Sequence, residues 1–482
     1  MATDMETGVQ PLVCDICVVG AGSAGLAVAA GAAQMGAKVV LIERSKMGGD
    51  CLNTGCVPSK SIIAAAHAAH TGQTAGRFGV HFSPATVNFQ EVHDHIHGVI
   101  GTIAPHDSVE RFAGLGVRVL RESARFTGPN EVAAGAFRIT ARRFVIATGS
   151  RAALPPVKGL AESEALTNES VFDLTELPAH LIVVGGGPIG LELAQSFRRL
   201  GSVVTVLERF TILPRDEPEA ADIVRAVLRG EGIVLLEKVE ITGVRRQGGS
   251  VEADIIDNGQ SRTVSGTHLL VAAGRTPNTD GLGLEAAGIK FSPKGVEVDK
   301  GLRSSNRKVF AIGDVAGGPQ FTHIAGYHAG IVIRSALLGL PVKVNYSALP
   351  WVTYLDPEVA HVGLTEAEAR KGGGSVTTLQ ESFKGNDRAQ TERRTEGFIK
   401  IVLGRRGRIL GATIVAPHAG EMIGLWGLAI SRKLAIFAIA GMIAPYPTLS
   451  ELSKRAAGSY YTPSLYGARM RSIVGFVQKW LP

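Results

Sequence analysis

The chain has 482 residues, enough for about three domains at roughly 150 residues each. Hydrophobic residues make up 45% and charged residues 19%, which excludes whole-chain disorder and a coiled coil; glycine, 60 residues, is in excess without a collagen period and is assigned to tight turns and close backbone approaches. The net charge of +7 comes from scattered Lys and Arg, with no basic run and no aromatic-basic motif, so no nucleic-acid partner is expected.

Asp4 and Glu6 stand where a secretory leader would be basic. Gly20, Gly22 and Gly25 break the apolar stretch that follows, so a leader is not expected. No apolar run reaches the roughly 18 to 20 residues needed to span a bilayer. The longest, Leu434 to Ala444, is expected as a buried helix. Four cysteines exclude a disulfide scaffold and point to a reducing cytoplasm. Cys14 and Cys17 form a CxxC on the first strand. Residues three apart on a strand face opposite sides, so both are expected as buried free thiols rather than a chelating pair.

The main organisational signal is an internal repeat. Gly20–Arg44 (GAGSAGLAVAAGAAQMGAKVVLIER) aligns without a gap with Gly185–Arg209 (GGGPIGLELAQSFRRLGSVVTVLER). Each block follows an apolar run, Ile16–Val19 or Leu181–Val184, and reads as strand, glycine loop, helix, glycine stop, strand. In that context the GxGxxG pattern indicates a dinucleotide site. The glycines let a pyrophosphate approach the backbone, and the helix N-terminus offers free N–H groups. Glu43 and Glu208, each ending the next strand, can accept a hydrogen bond from a ribose hydroxyl. Two such units imply two dinucleotides. A carboxylate at Glu208 favours NADH over NADPH, and Arg209 beside it softens that preference. The short apolar runs Val145–Gly149 (VIATG), Leu270–Gly274 (LVAAG) and Val309–Asp314 (VFAIGD) read as buried strands. The last ends in Asp314, a carboxylate suited to a ribityl hydroxyl, and these pieces are consistent with FAD in the first unit.

Residues 48–60 read GGDCLNTGCVPSK, with helical residues following from Ser61 to His70. Cys51 and Cys56 thus sit at a helix N-terminus, where the dipole favours a thiolate and Lys60 adds a cation one turn in. Cysteines grouped in this way in a cytosolic chain read as a redox pair. His93, His95 and His97 form an HxHxH cluster, and on a helix His93 and His97 would share a face; with His67 and His70 they read as a solvated helical surface, and no metal site is assigned. The tail beyond Leu465 places Met470, Ile473, Val474, Val477, Trp480 and Leu481 at helical spacing with Arg469, Arg471 and Lys479 and no acid. Packing is favoured for it over a membrane surface.

With these motifs in this order, the chain resembles the class I pyridine nucleotide–disulfide oxidoreductases, the family of dihydrolipoamide dehydrogenase, glutathione reductase and mercuric reductase, from about residue 12 to about 462. The resemblance implies an α/β fold: two Rossmann-like FAD- and NAD(P)-binding domains plus an α+β C-terminal dimerisation domain. It divides the chain into residues 1–155 (FAD and disulfide), 156–280 (NAD(P)), 281–348 (central) and 349–482 (interface), with DPEVAHVGLTE (Asp356–Glu366) and GFIKIV (Gly397–Val402) in the last. It implies a homodimer whose active sites are shared between subunits. It makes Cys51 the interchange thiol, Cys56 the flavin-side thiol, and Lys60 and Glu192 an ion pair beside the flavin. FAD would lie against Gly20, Gly22, Gly25, Glu43, Arg44, Gly49, Lys60, Ala147, Thr148, Gly149 and Asp314. NAD(P) would lie against Gly185, Gly187, Pro188, Ile189, Gly190, Glu208, Arg209 and Gly274.

One motif departs from the family. Disulfide-reducing members carry His-Pro-Thr-x-x-Glu near the C-terminus, the histidine serving as acid–base and the glutamate orienting it. Here the segment is Tyr446-Pro447-Thr448-Leu449-Ser450-Glu451. A phenol, with an ordinary pKa near 10, cannot replace an imidazole near 6.5 at neutral pH. Mercuric reductase resembles the chain at this tyrosine, but its C-terminal vicinal cysteine pair is missing here. The expected acceptor is therefore a metal ion or another non-standard acceptor. The rivals are dihydrolipoamide dehydrogenase with another group replacing the histidine, and a flavin-bound redox sensor or peripheral membrane partner.

Overall fold

The computed structural model describes residues 9–83 and 86–481, so Asp4 and Glu6 lie outside the described residues. Contacts divide the chain into two compact units: Met1–Gly186, Ser196–Arg209 and Lys238–Val344 in one, and Gly187–Gln195, Phe210–Glu237 and Asn345–Pro482 in the other.

The first unit is built on β1 (Gln10–Val19), α1 (Ser23–Gln34), β2 (Val39–Ile42), α2 (Gly49–Asn53), α3 (Cys56–Thr74), α4 (Phe89–Ile103), β3 (Arg118–Leu120), β4 (Ala124–Gly128), β5 (Glu131–Ala134) and β6 (Phe137–Ile146). Strands run in the order β3-β2-β1-β6-β5-β4. The β3, β2, β1 and β6 pairs are parallel. The central strands are β-branched runs buried on both faces, as parallel sheets require. β6 forks. Its first half pairs antiparallel with β5, and Phe144–Ile146 pairs parallel with Val309–Ala311.

A second parallel sheet in this unit joins β8 (His180–Val184) to β9 (Val203–Glu208) on one side and to His268–Val271 on the other. The β7 strand (Ser150–Ala152) pairs with Arg275–Pro277. The helix after β8, Pro188–Leu200, is shared by the two units. Both halves of the repeat therefore form strand, loop, helix and parallel strand.

The second unit is α+β. Pro350–Thr353, Glu358–Gly363, Ile409–Ala416, Phe398–Leu403 and Thr377–Ser382 form an antiparallel sheet in that order. The helix Ala419–Ser431 buries Trp426 in this unit's core, and its indole donates to Ser453 Oγ at 3.3 Å. Lys400, 4% exposed, is neutralised by Glu217, Glu219 and Glu366 at 2.8–3.0 Å, which satisfies the rule that a buried charge must be paired.

Three expectations are corrected. Cys14 and Cys17 are both buried and free, but they share one core cluster rather than opposite faces. The amides of Asp15 and Ile16 both reach the Lys38 carbonyl, so an irregularity of bulge type breaks the strand alternation. The segment Leu434–Ala444 is not a buried helix. Only Phe437–Ala440 is helical, and Phe437 and Ile443 are 70% and 95% exposed. Ile436 and Ile439 alone anchor it deeply, which leaves an apolar surface rather than a core element. Finally, the strand at Val309 stops at Ala311, and Asp314 sits in the helical turn Gly313–Ala316 that follows.

Candidate active site

Cys51 lies in α2 and Cys56 is the first residue of α3. Both are free thiols in hydrogen-bond reach of each other. The hydrogen bond from Cys51 holds the Cys56 thiol down at about 6, against the opposing effect of burial; the Thr322 hydroxyl and the Lys60 charge act in the same direction as Cys51. Thr322 Oγ1, at the start of the helix Thr322–Leu338, is 3.3 Å from Cys56 Sγ. Cys51 is pushed up, chiefly because its proton is held by Cys56 and then by burial. One thiolate is thus localised on Cys56 at neutral pH. Alkylation of the reduced protein by iodoacetamide should follow an inflection near pH 6, rising as pH rises through it, instead of the ordinary thiol value near 8.5. An inflection that survives in Cys56→Ser would contradict this.

The loop around the thiols is anchored by residues that no motif singled out. Asp50 accepts from Thr54 Oγ1 and Asn168 Nδ2 and pairs with Arg275 at 3.1 Å. Arg275 Nε donates to Ser150 Oγ, which donates to Asp314. A chain Asp50–Arg275–Ser150–Asp314 therefore ties the thiol loop to the turn carrying Asp314. Burial raises the Asp314 carboxyl, opposed by Ser150 and Arg275. His328, held neutral by burial at about 4, accepts from the Gly313 amide.

The two glycine loops are built alike. Gly20 has φ +104° and Gly185 has φ +115°; a Cβ on either would stand 2.4 Å from a carbonyl oxygen, that of Ala147 or Ala272. Glycine is therefore required twice, for one reason. In each loop the next amide, of Ala21 or Gly186, donates to the acidic residue ending the following strand, Glu43 or Glu208, at 2.6 Å. Glu43 also accepts from Ser45 N. These carboxylates brace their loops. The N-terminus of α1 is capped at Gly22 by no side chain, so its first amides suit a pyrophosphate. Gly25 and Gly190 are buried in their helices, Gly187 is half-buried, and Pro188 and Ile189 are exposed. Arg44 and Arg209 are exposed beyond the strand ends, and Gly49 opens α2. Ala147, Thr148 and Gly149 follow β6, with Thr148 Oγ1 donating to Asn278 O; Gly274 occupies the matching turn after Val271. These residues fit two dinucleotides.

Lys60 lies one turn into α3 and its Nζ is 3.4 Å from Ser59 Oγ. Glu192 belongs to the other unit, where it is buried and accepts from the Tyr354 amide at 2.8 Å. Tyr446 is exposed, and its hydroxyl donates to Asp387 Oδ2 at 2.8 Å rather than to Glu451. That hydrogen bond pushes the phenol further up. Glu451 opens the helix Glu451–Ser459, its amide donating to Thr448 Oγ1. Beside this segment an open groove of about 490 Å³ is lined by Thr448, Ser450, Glu421 and His418, an imidazole that sequence reading overlooked. The His93 and His97 rings meet on α4 with centroids 4.2 Å apart and planes tilted by 42°. His93 meets Asp94, and His97 Nε2 lies 3.2 Å from Phe172 O. Among the described residues no cluster of three His, Cys, Asp or Glu could hold a metal ion.

Residues 14–329 match the pyridine nucleotide-disulphide oxidoreductase family, and residues 349–457 match its dimerisation domain. The chain belongs to the class I pyridine nucleotide–disulfide oxidoreductases. It is 36% identical to the mercuric reductase of Streptomyces lividans over 92% of this chain and 96% of that one. It is also 36% identical to the dihydrolipoyl dehydrogenase of Geobacillus stearothermophilus, over 91% and 94%. Among solved structures it is similar to the Cu(II) complex of the HOCl-induced flavoprotein disulfide reductase RclA from Escherichia coli, with TM-score 0.82 and 27% identity over 92% of this chain and 99% of that one. This member of the family is therefore an FAD-dependent NAD(P)H oxidoreductase, and it carries the family's dimerisation domain. No helix among the described residues is long and apolar enough to cross a membrane.

Proposed function

We propose that the enzyme takes a hydride from NADH, in preference to NADPH, and passes the electron pair to the Cys51–Cys56 disulfide and on to a soft metal ion or another acceptor that is not a standard disulfide. Bound FAD supplies the two-electron relay between nicotinamide and sulfur. In the first half-reaction NADH, a proton and the disulfide give NAD⁺ and two thiols. In the second, for a divalent mercury ion, the two thiols give back the disulfide, two protons and the neutral metal. The chain's residues divide this work. Glu43 and Glu208 hold the two glycine loops, and the Glu208 carboxylate disfavours a 2′-phosphate. Lys60, Thr322 and Cys51 keep the Cys56 sulfur anionic, while Cys51 retains the proton. A thiolate binds a soft metal directly, with no proton to be delivered.

Tyr446 carries this reading. Exposed and donating to Asp387, it keeps its own proton at neutral pH. It cannot cycle protons for a dithiol product. Support also comes from relatives named mercuric reductase and from RclA in complex with Cu(II). We further propose a cytoplasmic homodimer whose sites are completed by the second copy, with the four-part division at residues 155, 280 and 348; the exposed Phe437 and Ile443 in the dimerisation domain suit that pairing.

The test is an acceptor panel on purified, FAD-loaded protein at pH 7. NADH and NADPH oxidation would be followed with lipoamide, glutathione disulfide, Hg(II), Cu(II) and a quinone. Turnover with a metal ion or quinone and little with either disulfide is expected. Rapid lipoamide reduction would overturn this reading. It would favour dihydrolipoamide dehydrogenase proper, with His418 in the groove beside Thr448 as the substitute imidazole.

A further inference from the structure

The last helix of the chain, Ala468–Val477, has no buried residue. From Thr462 to Leu481 every residue is exposed except Gly467 and Met470, which are half-buried. The sequence there is nonetheless patterned. Met470, Ile473, Val474 and Val477 recur at i, i+3, i+4 and i+7, so they share one face of the helix, and Leu481 follows beyond its end. Phe476 and Trp480 flank that face with ring centroids 6.4 Å apart, and Trp480 is 77% exposed. Arg469 and Arg471 lie at the two margins of that face, about 100° to either side of Met470, and Lys479 follows in the turn after the helix. None of the three basic side chains makes an ion pair or hydrogen bond among the described residues, and no Asp or Glu follows Glu451. The match to the family's dimerisation domain ends at residue 457, ahead of this helix.

We propose that residues 462–481 form a docking surface for an anionic lipid bilayer. The apolar face buries into the headgroup boundary, the aromatic rings sit at that level, and the basic side chains meet lipid phosphates. Charge decides the occupant. In a symmetric pair joined with this helix on the two-fold axis, Arg469, Arg471 and Lys479 would face their own equivalents, and no Asp or Glu from Leu452 to Leu481 is there to neutralise them. An anionic surface neutralises all three. The attachment is reversible, since one short helix gives far less binding than a spanning segment. It is also weakened by salt.

The test is co-sedimentation of the FAD-loaded full chain with vesicles of mixed phosphatidylglycerol and phosphatidylcholine, and with vesicles of phosphatidylcholine alone. Binding to the anionic vesicles and little to the neutral ones is expected. The triple variant R469Q/R471Q/K479Q should bind roughly 100-fold more weakly, the product of three surface charges each contributing near a factor of five. Removal of residues 466–482 should abolish binding while FAD content and NADH oxidation stay unchanged. The proposal is overturned if the full chain ignores anionic vesicles, or if the shortened chain binds them equally well. It is also overturned if the full chain stays in solution as a dimer that the shortening converts to a monomer, which would make a second copy the occupant.

Discussion

Cys56→Ser should leave reduction of bound FAD by NADH intact and reduce turnover with any acceptor by at least about 10³-fold, the scale expected when a group acting in the chemical step is removed. The reason lies in the placement of charge. Cys56 is the thiol held near 6 by its neighbour's proton, by Thr322 and by Lys60, so it carries the negative charge of the reduced pair. Serine at that position can neither close the disulfide nor supply a thiolate donor to the flavin. The long-wavelength charge-transfer absorbance of the two-electron-reduced enzyme should therefore vanish. Cys51→Ser should behave differently, since it also stops turnover but leaves the Cys56 thiolate beside oxidised FAD, so the band should be present before any reductant is added and be lost when NADH reduces the flavin. Stopped-flow spectra of both variants read these outcomes directly. A band that is present in oxidised Cys56→Ser and absent from oxidised Cys51→Ser would reverse the assignment of the two thiols.

Tyr446→His should raise disulfide reduction, measured with lipoamide, by roughly 10² to 10⁴, the range that a positioned acid–base supplies. An imidazole near 6.5 can accept and return a proton at neutral pH, which a phenol pushed further up by Asp387 cannot. The gain should appear in kcat and bring a pH optimum near neutrality. Metal-ion turnover should change by only a few-fold, because thiolate–metal bonding needs no proton delivery. Tyr446→Phe separates the two uses of the ring. If it lowers metal turnover strongly, the hydroxyl itself contacts the acceptor. If Tyr446→His fails to improve lipoamide turnover while FAD and dimer are intact, the loss of histidine is not what excludes disulfides.

The repeat made both glycine loops readable from sequence, down to Gly20, Gly185, Glu43 and Glu208, because each feature lies within a span of about 25 residues. The thiol motif was readable for the same reason. What escaped was set by distant chain. Thr322 lies 266 residues from Cys56, and Ser150 lies 164 from Asp314. Neither carries a local signature. Strand alternation breaks between Cys14 and Cys17 because the amides of Asp15 and Ile16 share the carbonyl of Lys38, just ahead of β2. Leu434–Ala444 misled because apolar composition does not distinguish a core face from an exposed apolar surface. The tail's amphipathic pattern was visible, but only the structure shows that its helix buries nothing against its own chain.

The fork in β6 has a consequence for biosynthesis. The half of that strand that needs Val309–Ala311 is made long before its partner leaves the ribosome, and so is Cys56 before Thr322. The nascent chain therefore emerges with Cys56 lacking its Thr322 hydrogen bond and its first sheet short of one strand. Fragments that stop short of Ala311 should emerge as clients of chaperones rather than as independent flavin-binding modules.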